Sequence, residues 1–241
     1  MEAYQKSFKE VQNELGVFNQ GLNKKQIYKY KQLFGKNEIV SEKQESAIAI
    51  FIDQFKDLLV IILIVAGIIS AISGEFESTL VILIVISLNA ALGTFQTVKA
   101  QKSIDSLKKL SIPKVKVIRD GKVQIINSNE LVVGDIVNIE AGDIIDGDGR
   151  LKEAVNLQIN ESALTGESNS VEKQLLPIEK KCTIGDMNNM VFSGSLVTNG
   201  TGQYIVTAVG MKSELGKIAG MLNETKQRKT PLQRTLDEFS V

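Results

Sequence analysis

The amino-acid sequence predicts a mixed fold, in which a transmembrane α-helical hairpin leads into a β-rich domain with flanking helices. Two apolar runs without charge, at 58–72 and 79–95, are separated only by the segment SGEFES. After Pro113 the hydrophobic period changes from helical to alternating, which is typical of half-buried strands. Hydrophobic residues make up an ordinary 43% of the chain, so it is their concentration in two runs that indicates a membrane segment.

Composition excludes several classes of function. The 28 Lys and Arg residues cancel the 28 Asp and Glu residues, so no nucleic-acid partner is predicted. The chain has no histidine, which excludes a Ser-His triad and a histidine metal site. Cys182 is the single cysteine, so no internal disulfide can form and a reducing compartment is favoured. The polar N-terminus lacks the apolar core of a signal peptide.

The two apolar runs are predicted to be membrane spans. The second, at 79–95, would form roughly 26 Å of helix, near the lower limit for crossing a bilayer core. The first is shorter and is expected to extend back through 47–55. The alternative, a pair of buried helices in a soluble protein, would show polar positions every three or four residues, whereas these runs are apolar all round.

Charge asymmetry predicts the orientation of the hairpin. The connecting loop carries Glu75 and Glu77 without Lys or Arg, whereas lysines flank the hairpin on both sides. The flanking lysines are Lys43, Lys56, Lys99, Lys102, Lys108 and Lys109. Both chain ends are therefore expected to be cytosolic in an integral protein of the cell membrane.

Helical periodicity continues beyond Phe95 until Pro113, which predicts a cytosolic stalk on the second helix. Asp53 and Asp57, spaced i and i+4 at the cytosolic end of the first helix, have two readings. They form either an acidic mouth for cations or solvated interfacial charges beside Lys56.

The region after Pro113 contains several strand-like runs. A β-hairpin is predicted around Asp120-Gly121-Lys122 and a second at Thr201-Gly202, with helix returning at about Ser213. The segment 143–150, DIIDGDGR, resembles a calcium loop, but its ligand and glycine positions do not fit an EF-hand. A turn rich in aspartate and glycine is predicted there, and no metal site.

The segment 158–173, QINESALTGESNSVEK, contains LTGES at 164–168 and is the most informative stretch of the chain. LTGES resembles the actuator-domain signature of P-type ATPases. Taken alone it could be a surface turn without a role. The flanking runs, VVGDIVNIEAGDIIDGDGRL before it and MVFSGSLVTNGTGQYIVTAVGMKSELGKIA after it, also resemble that family.

The resemblance extends over almost the whole chain. Gly21-Leu22, Gly35 and Asn37 are similar to the N-terminal segment of the type II branch, which includes calcium and sodium/potassium pumps, and TPLQRTLDEF resembles the linker into a third transmembrane helix. The resemblance implies four regions. They are a cytosolic N-terminal segment (1–46), a transmembrane hairpin with stalk (47–110), an actuator domain with a distorted jelly-roll (111–228) and a linker (229–241).

The resemblance also implies roles for the loop residues. Hydrolysis of an aspartyl-phosphate needs a water in line with phosphorus and a group that accepts its proton, and Glu167 would be that group. Gly166 would let the backbone approach the phosphate. Thr165 and Ser168 would orient the loop by side-chain hydrogen bonds. Glu161, a nearby carboxylate in this segment, would serve as a control for the loss of charge.

Four positions depart from the family pattern. Tyr30 replaces a usual arginine, Asp146 a usual proline, Asn160 a usual aspartate and Ser170 a usual proline. None of them removes the TGES core, and the fine geometry of the loops is where they are expected to act.

The family's DKTGT phosphorylation motif and a Gly-rich phosphate loop are absent from the sequence. The chain alone is therefore expected to be inactive and to bind no cofactor, whereas Mg and ATP belong to the complete pump. Its implied partners are the lipid bilayer and the C-terminal half of a P-type ATPase, for which the resemblance favours a calcium pump. This reading makes it a truncated, split or excised part of such a pump.

Two rival hypotheses stay open. The chain could be a non-enzymatic, membrane-anchored regulator or binding partner of an intact pump. It could instead be a small membrane-anchored metal-binding protein. In that case the absence of histidine and the single cysteine would argue against soft metals, though not against calcium.

Overall fold

The computed structural model of the chain describes residues 2–39, 46–110 and 112–226. It divides into two compact units. The hairpin unit comprises Glu42–Ser111, and the β unit combines Met1–Ser41 with Ile112–Val241. The predicted linker at 229–241 lies outside the described residues.

The hairpin unit contains α3 (Ala47–Asp53), α4 (Leu58–Ile72) and α5 (Phe76–Leu110), preceded in the chain by α1 (Phe8–Glu14) and α2 (Lys24–Phe34) of the β unit. The predicted second span lies inside α5, and the predicted continuation beyond Phe95 is confirmed as unbroken helix to Leu110. Phe76–Ile104 is long and apolar enough to cross a membrane, and only 11% of its most apolar 18-residue stretch is buried.

The predicted first span is broken rather than straight. Two helical segments, Ala47–Lys56 and Val60–Ile72, are long and apolar enough to cross a membrane only when they are taken together. The angle between them is 69°. The break lies at Asp57, whose backbone is extended (φ −63°, ψ 133°) while its carbonyl accepts the Ile61 N–H at 2.9 Å. Asp57 thus has the backbone geometry of an N-cap, a position that aspartate favours, and the helix restarts there.

A tight turn and close packing join α4 to α5. Gly74 has φ +82° in the turn, and the Glu75 carbonyl accepts hydrogen bonds from the Ser70 hydroxyl at 3.3 Å and the Thr79 hydroxyl at 3.1 Å. A Cβ added at Gly67 would lie 3.3 Å from Ile82 Cγ2. The glycine therefore lets the two helices approach closely, as small residues do between membrane helices.

The β unit is one antiparallel sheet with non-sequential strand order. Its strands are β1 (Lys114–Arg119), β2 (Lys122–Asn127), β3 (Ile136–Glu140), β4 (Asp148–Asn160), β5 (Ser170–Glu172), β6 (Met190–Val191) and β7 (Leu196–Ala208). The order is β2-β1-β3-β7-β4-β5, and β6 pairs with β4. The predicted mixed fold is confirmed. Two further helices, α6 (Ser162–Thr165) and α7 (Glu214–Lys226), flank the strands.

Local prediction succeeds for one hairpin and fails for the other. The β1–β2 hairpin is confirmed, with positive φ at Asp120 (49°) and Gly121 (71°), as a type I′ turn requires. The predicted hairpin at Thr201-Gly202 is wrong, because both residues lie inside the continuous strand β7. The predicted turn at 143–150 is also too long, since β4 already begins at Asp148.

The N-terminal segment packs on the sheet as part of the same core. Val11, Val17 and Leu22 are buried against Val132 and Ile205. Leu22 also forms a parallel bridge with Arg119 of β1. These contacts make the segment and the sheet one packed body.

Arg150 ties the N-terminal segment to three other parts of the unit. Its fully buried guanidinium donates to the carbonyls of Lys6 (3.1 Å), Asn189 (3.0 Å) and Leu175 (2.7 Å). Burial lowers the pKa of Arg150 to about 10, so the group stays charged at neutral pH while backbone dipoles replace its water.

Candidate functional site

The LTGES segment lies in the connection between β4 and β5. The two strands pair antiparallel up to Asn160, which stands opposite Ser170. The intervening residues therefore form a loop whose two ends are held at the edge of the sheet. A loop on such a rigid base can present a side chain in a defined place.

The first half of the loop is the single helical turn α6, and Gly166 ends it. Gly166 adopts the left-handed conformation (φ 77°, ψ −2°), and its N–H donates to the Ser162 carbonyl at 3.0 Å. This is a common way to end a helix, and glycine adopts it without strain. A Cβ added there would meet nothing within 4 Å, so the space around Gly166 is open to an approaching group.

The Thr165 hydroxyl links the helical turn to Glu167. It donates to the Glu161 carbonyl at 3.2 Å and accepts the Glu167 N–H at 3.2 Å. Glu167 itself is exposed. The loop thus holds the backbone of Glu167 in place while its carboxylate stays accessible.

Ser168 contributes through its backbone. Its carbonyl accepts a hydrogen bond from the Asn160 side-chain amide at 3.2 Å. Among the described residues its hydroxyl forms no hydrogen bond, so the predicted orienting role of the Ser168 side chain stays a prediction.

Asn160 and Ser170, two departures from the family pattern, add bonds at the base of the loop. The Asn160 amide accepts from the Ser162 N–H at 3.0 Å through its oxygen and donates to Ser168 through its nitrogen. An aspartate could only accept. The Ser170 hydroxyl accepts from Thr198 at 3.0 Å, a bond that a proline could not make. Both residues therefore reinforce the loop's attachment to the sheet.

Sequence reasoning missed a buried ion pair beneath the loop. Glu161 Oε1 lies 2.6 Å from Lys173 Nζ, and both side chains are fully buried. Burial raises the pKa of Glu161, against the opposing effect of Lys173, and burial lowers the pKa of Lys173. The short distance indicates a charged pair with a shared hydrogen bond. The signal available in the sequence was the presence of an acid, Glu161, before LTGES and a base, Lys173, after it.

The other two departures lie away from the loop. The Tyr30 hydroxyl donates to the Leu15 carbonyl, and its ring lies against Gly134. The backbone carbonyl of Asp146 accepts from the Asn37 amide. Asp146 Oδ2 is buried and has no hydrogen-bond partner among the described residues, and burial raises the pKa of Asp146 from 3.8 to about 6.

The raised pKa of Asp146 predicts a pH-dependent stability. Because the folded chain holds this proton more tightly than the unfolded chain, the associated stability is present below about pH 4 and is lost as pH rises through 6. Asp146→Asn should therefore raise the free energy of unfolding at pH 7–8 by about 1–2 kcal/mol, after a discount for partial solvation. Urea unfolding at a series of pH values measures this.

The gain from Asp146→Asn should shrink as the pH falls toward 4 and vanish below it, because the wild-type carboxyl becomes neutral first in the folded and then in the unfolded chain. Glu179→Gln, at an exposed carboxylate, is the control and should show no such trend. A gain that is independent of pH would contradict the assignment to Asp146 ionisation.

No group of three or more Cys, Asp and Glu side chains among the described residues could hold a metal ion.

Comparison with known proteins identifies two domains of the chain. Residues 109–223 match the P-type ATPase actuator domain, and residues 3–70 match the N-terminal domain of cation transporters and ATPases.

Three curated relatives are named as calcium pumps. They are "Calcium-transporting ATPase lmo0841" of Listeria monocytogenes (42% identical, covering 100% of this chain and 27% of the relative), "Calcium-transporting ATPase 1" of Lactococcus lactis (43%, 99% and 27%) and "Calcium-transporting ATPase" of Bacillus subtilis (42%, 91% and 25%). The chain thus spans about a quarter of the length of these relatives. It belongs to the P-type ATPase family and carries that family's N-terminal segment and actuator domain.

Proposed function

We propose that this chain is the actuator region of an ATP-driven cation pump, in which Glu167 promotes hydrolysis of an aspartyl-phosphate on the C-terminal part of the pump. The observation that carries the proposal is the exposed Glu167 on a short loop whose backbone is tied to the sheet at both ends. A carboxylate held in this way can position a water and accept its proton.

The open space at Gly166 supports the same role. With no atom beyond the two neighbouring residues within 4 Å of the position of a Cβ, a phosphorylated side chain can come close to the backbone between Thr165 and Glu167. Thr165 fixes the backbone of Glu167 and Ser168 holds the far side of the loop through its carbonyl. Breakdown of the phosphoenzyme in a complete pump carrying Glu167→Gln tests this proposal.

Calcium is the proposed cargo, and Mg and ATP are the proposed cofactor and energy source of the complete pump. The support for calcium is that the relatives named above are described as calcium-transporting. Uptake of radiolabelled calcium, compared with other cations, by membrane vesicles containing the complete pump would test the choice of ion.

We also propose that the hairpin unit crosses the cell membrane with both chain ends in the cytosol. The exposed apolar surface of α5 supports insertion into lipid. Glu75 and Glu77 before the uncharged run 79–95, opposed by Lys99 and Lys102 after it, support the orientation.

Cysteine labelling of intact cells checks this topology. In a Cys182→Ser background, Ser78→Cys should react with a membrane-impermeant maleimide, whereas Lys122→Cys should react only after permeabilisation. Both positions are exposed, so accessibility within the protein does not limit either reaction. Ser128 is only 8% exposed, so a cysteine at that position would be shielded from the reagent and could not report on the side of the membrane. Labelling of Lys122→Cys from outside would contradict the orientation.

A further inference from the structure

The buried pair Glu161–Lys173 needs an explanation beyond stability. Its two side chains are fully buried, with Nζ and Oε1 2.6 Å apart. Removing two charges from water costs about as much as their attraction returns, so such pairs are weak sources of stability. In addition, Glu161 Oε2 is buried without a hydrogen-bond partner among the described residues. A well-packed apolar pair would serve the core equally well.

The position of Glu161 in the chain suggests what the pair does. Its backbone carbonyl accepts three hydrogen bonds, from the Leu164 N–H (2.9 Å), the Thr165 N–H (3.0 Å) and the Thr165 hydroxyl (3.2 Å). That hydroxyl in turn accepts the Glu167 N–H. A continuous series of contacts therefore runs from the ion pair through Glu161 and Thr165 to the backbone of Glu167.

Lys173 is anchored independently of the loop. Its N–H donates to the Leu157 carbonyl of β4 at 2.9 Å, and its ammonium lies 5.9 Å from the centre of the Phe192 ring. Lys173 is thus part of the rigid sheet and core, whereas Glu161 is the first residue of the loop. The ion pair fixes the start of the loop against a point that does not belong to it.

We propose that Glu161 and Lys173 are positioning residues, whose ion pair sets the place of Glu167 and thereby the rate of dephosphorylation. The inference rests on the proposed function of Glu167. Neither residue touches the reacting atoms, and their effect is transmitted through the Glu161 carbonyl and the Thr165 hydroxyl.

The test uses a complete pump carrying this region and the neutral double variant Glu161→Gln, Lys173→Met. Phosphoenzyme formation from γ-labelled ATP should proceed at the normal rate. Its decay should slow by about 10- to 100-fold, the effect expected from displacing a reacting group by about 1 Å. In a Glu167→Gln background the same pair of substitutions should add little further slowing, because the group that they position is already gone.

The chain offers a matched control in a second buried pair, Arg119–Asp135, whose side chains are 8% and 0% exposed at a distance of 2.6 Å. Arg119→Met, Asp135→Asn removes a buried ion pair from β1 and the residues before β3, not from the loop. It should leave decay of the phosphoenzyme unchanged. Equal slowing by both double variants would overturn the proposal, because a general loss of core stability would then explain it.

Glu161→Asp keeps both charges and covers the case in which the neutral double variant does not fold. The shorter side chain can keep the contact with Lys173 only by pulling the start of the loop, so decay should again slow at an unchanged rate of formation. Normal decay in either folded variant overturns the positioning role. If Glu167→Gln slows decay while the pair variants do not, only this inference fails; normal decay in Glu167→Gln removes the proposed function as well.

Discussion

Glu167→Gln should leave phosphorylation of a complete pump intact and slow the breakdown of its phosphoenzyme by roughly 100-fold or more. The substitution keeps the size of the side chain and the backbone hydrogen bond from Glu167 to Thr165. It removes only the carboxylate that would accept the proton of the attacking water. The expected loss corresponds to nearly 3 kcal/mol of barrier. Decay of radiolabelled phosphoenzyme after a chase with unlabelled ATP is the measurement.

The control for this experiment is Glu172→Gln. Glu172 is an exposed carboxylate on β5, opposite Gln158 of β4, so it matches Glu167 in charge and accessibility without lying in the TGES turn. Glu161, the nearest carboxylate in sequence before the motif, is unsuitable, because its removal would leave Lys173 charged and buried. Slowing by Glu172→Gln to the same degree, or normal decay in Glu167→Gln, would show that LTGES is a structural turn.

The case of Glu161 shows where sequence reasoning about the site stops. LTGES is identified in the sequence by its resemblance to the actuator signature, and its glycine and hydroxyl residues predict a turn because they are local turn formers. Which of two nearby carboxylates is buried depends on contacts between distant parts of the chain. Glu161 is covered because the chain returns through β5 and places Lys173 beneath the loop. No periodicity in the segment distinguishes it from the exposed Glu167.

Elements that depend on local pattern alone were predicted well. The β1–β2 hairpin follows from Asp120-Gly121, and α5 follows from its long uncharged run. The first span was predicted as one helix because hydropathy does not register a single backbone break. Asp57 ends one helical segment and caps the next, and its position at the edge of the apolar run was the available signal.

The wrong hairpin at Thr201-Gly202 has a related cause. Gly200 and Gly202 are typical of a turn, but here they allow β7 to continue past an irregular part of β4. Gly200 has φ +77°, and opposite it Asn156 has φ +49°, close to shifts in the strand register between Val155 and Ile159. Paired bulges of this kind bend a strand without ending it, and only the partner strand reveals the difference from a turn.

Gly200→Ala is therefore expected to lower the free energy of unfolding of the β unit by about 2–5 kcal/mol. Two costs add up at this position. Forcing an alanine into the left-handed conformation costs about 1–2 kcal/mol. A Cβ would also collide with the backbone carbonyl oxygens of Val155 and Asn156, which cannot rotate away as a side chain can, and overpacking of this kind costs about 1–3 kcal/mol.

Gly142→Ala separates the two costs. Gly142 has φ +96° in the neighbouring turn, its N–H donates to Val197 of β7, and a Cβ there would meet nothing within 4 Å. Only the conformational cost applies, so its loss should stay at about 1–2 kcal/mol. Urea unfolding of the detergent-solubilised chain, followed by far-ultraviolet circular dichroism, measures both variants. Equal losses would mean that the approach of β7 to β4 at Gly200 is not close, and that the bend depends on positive φ alone.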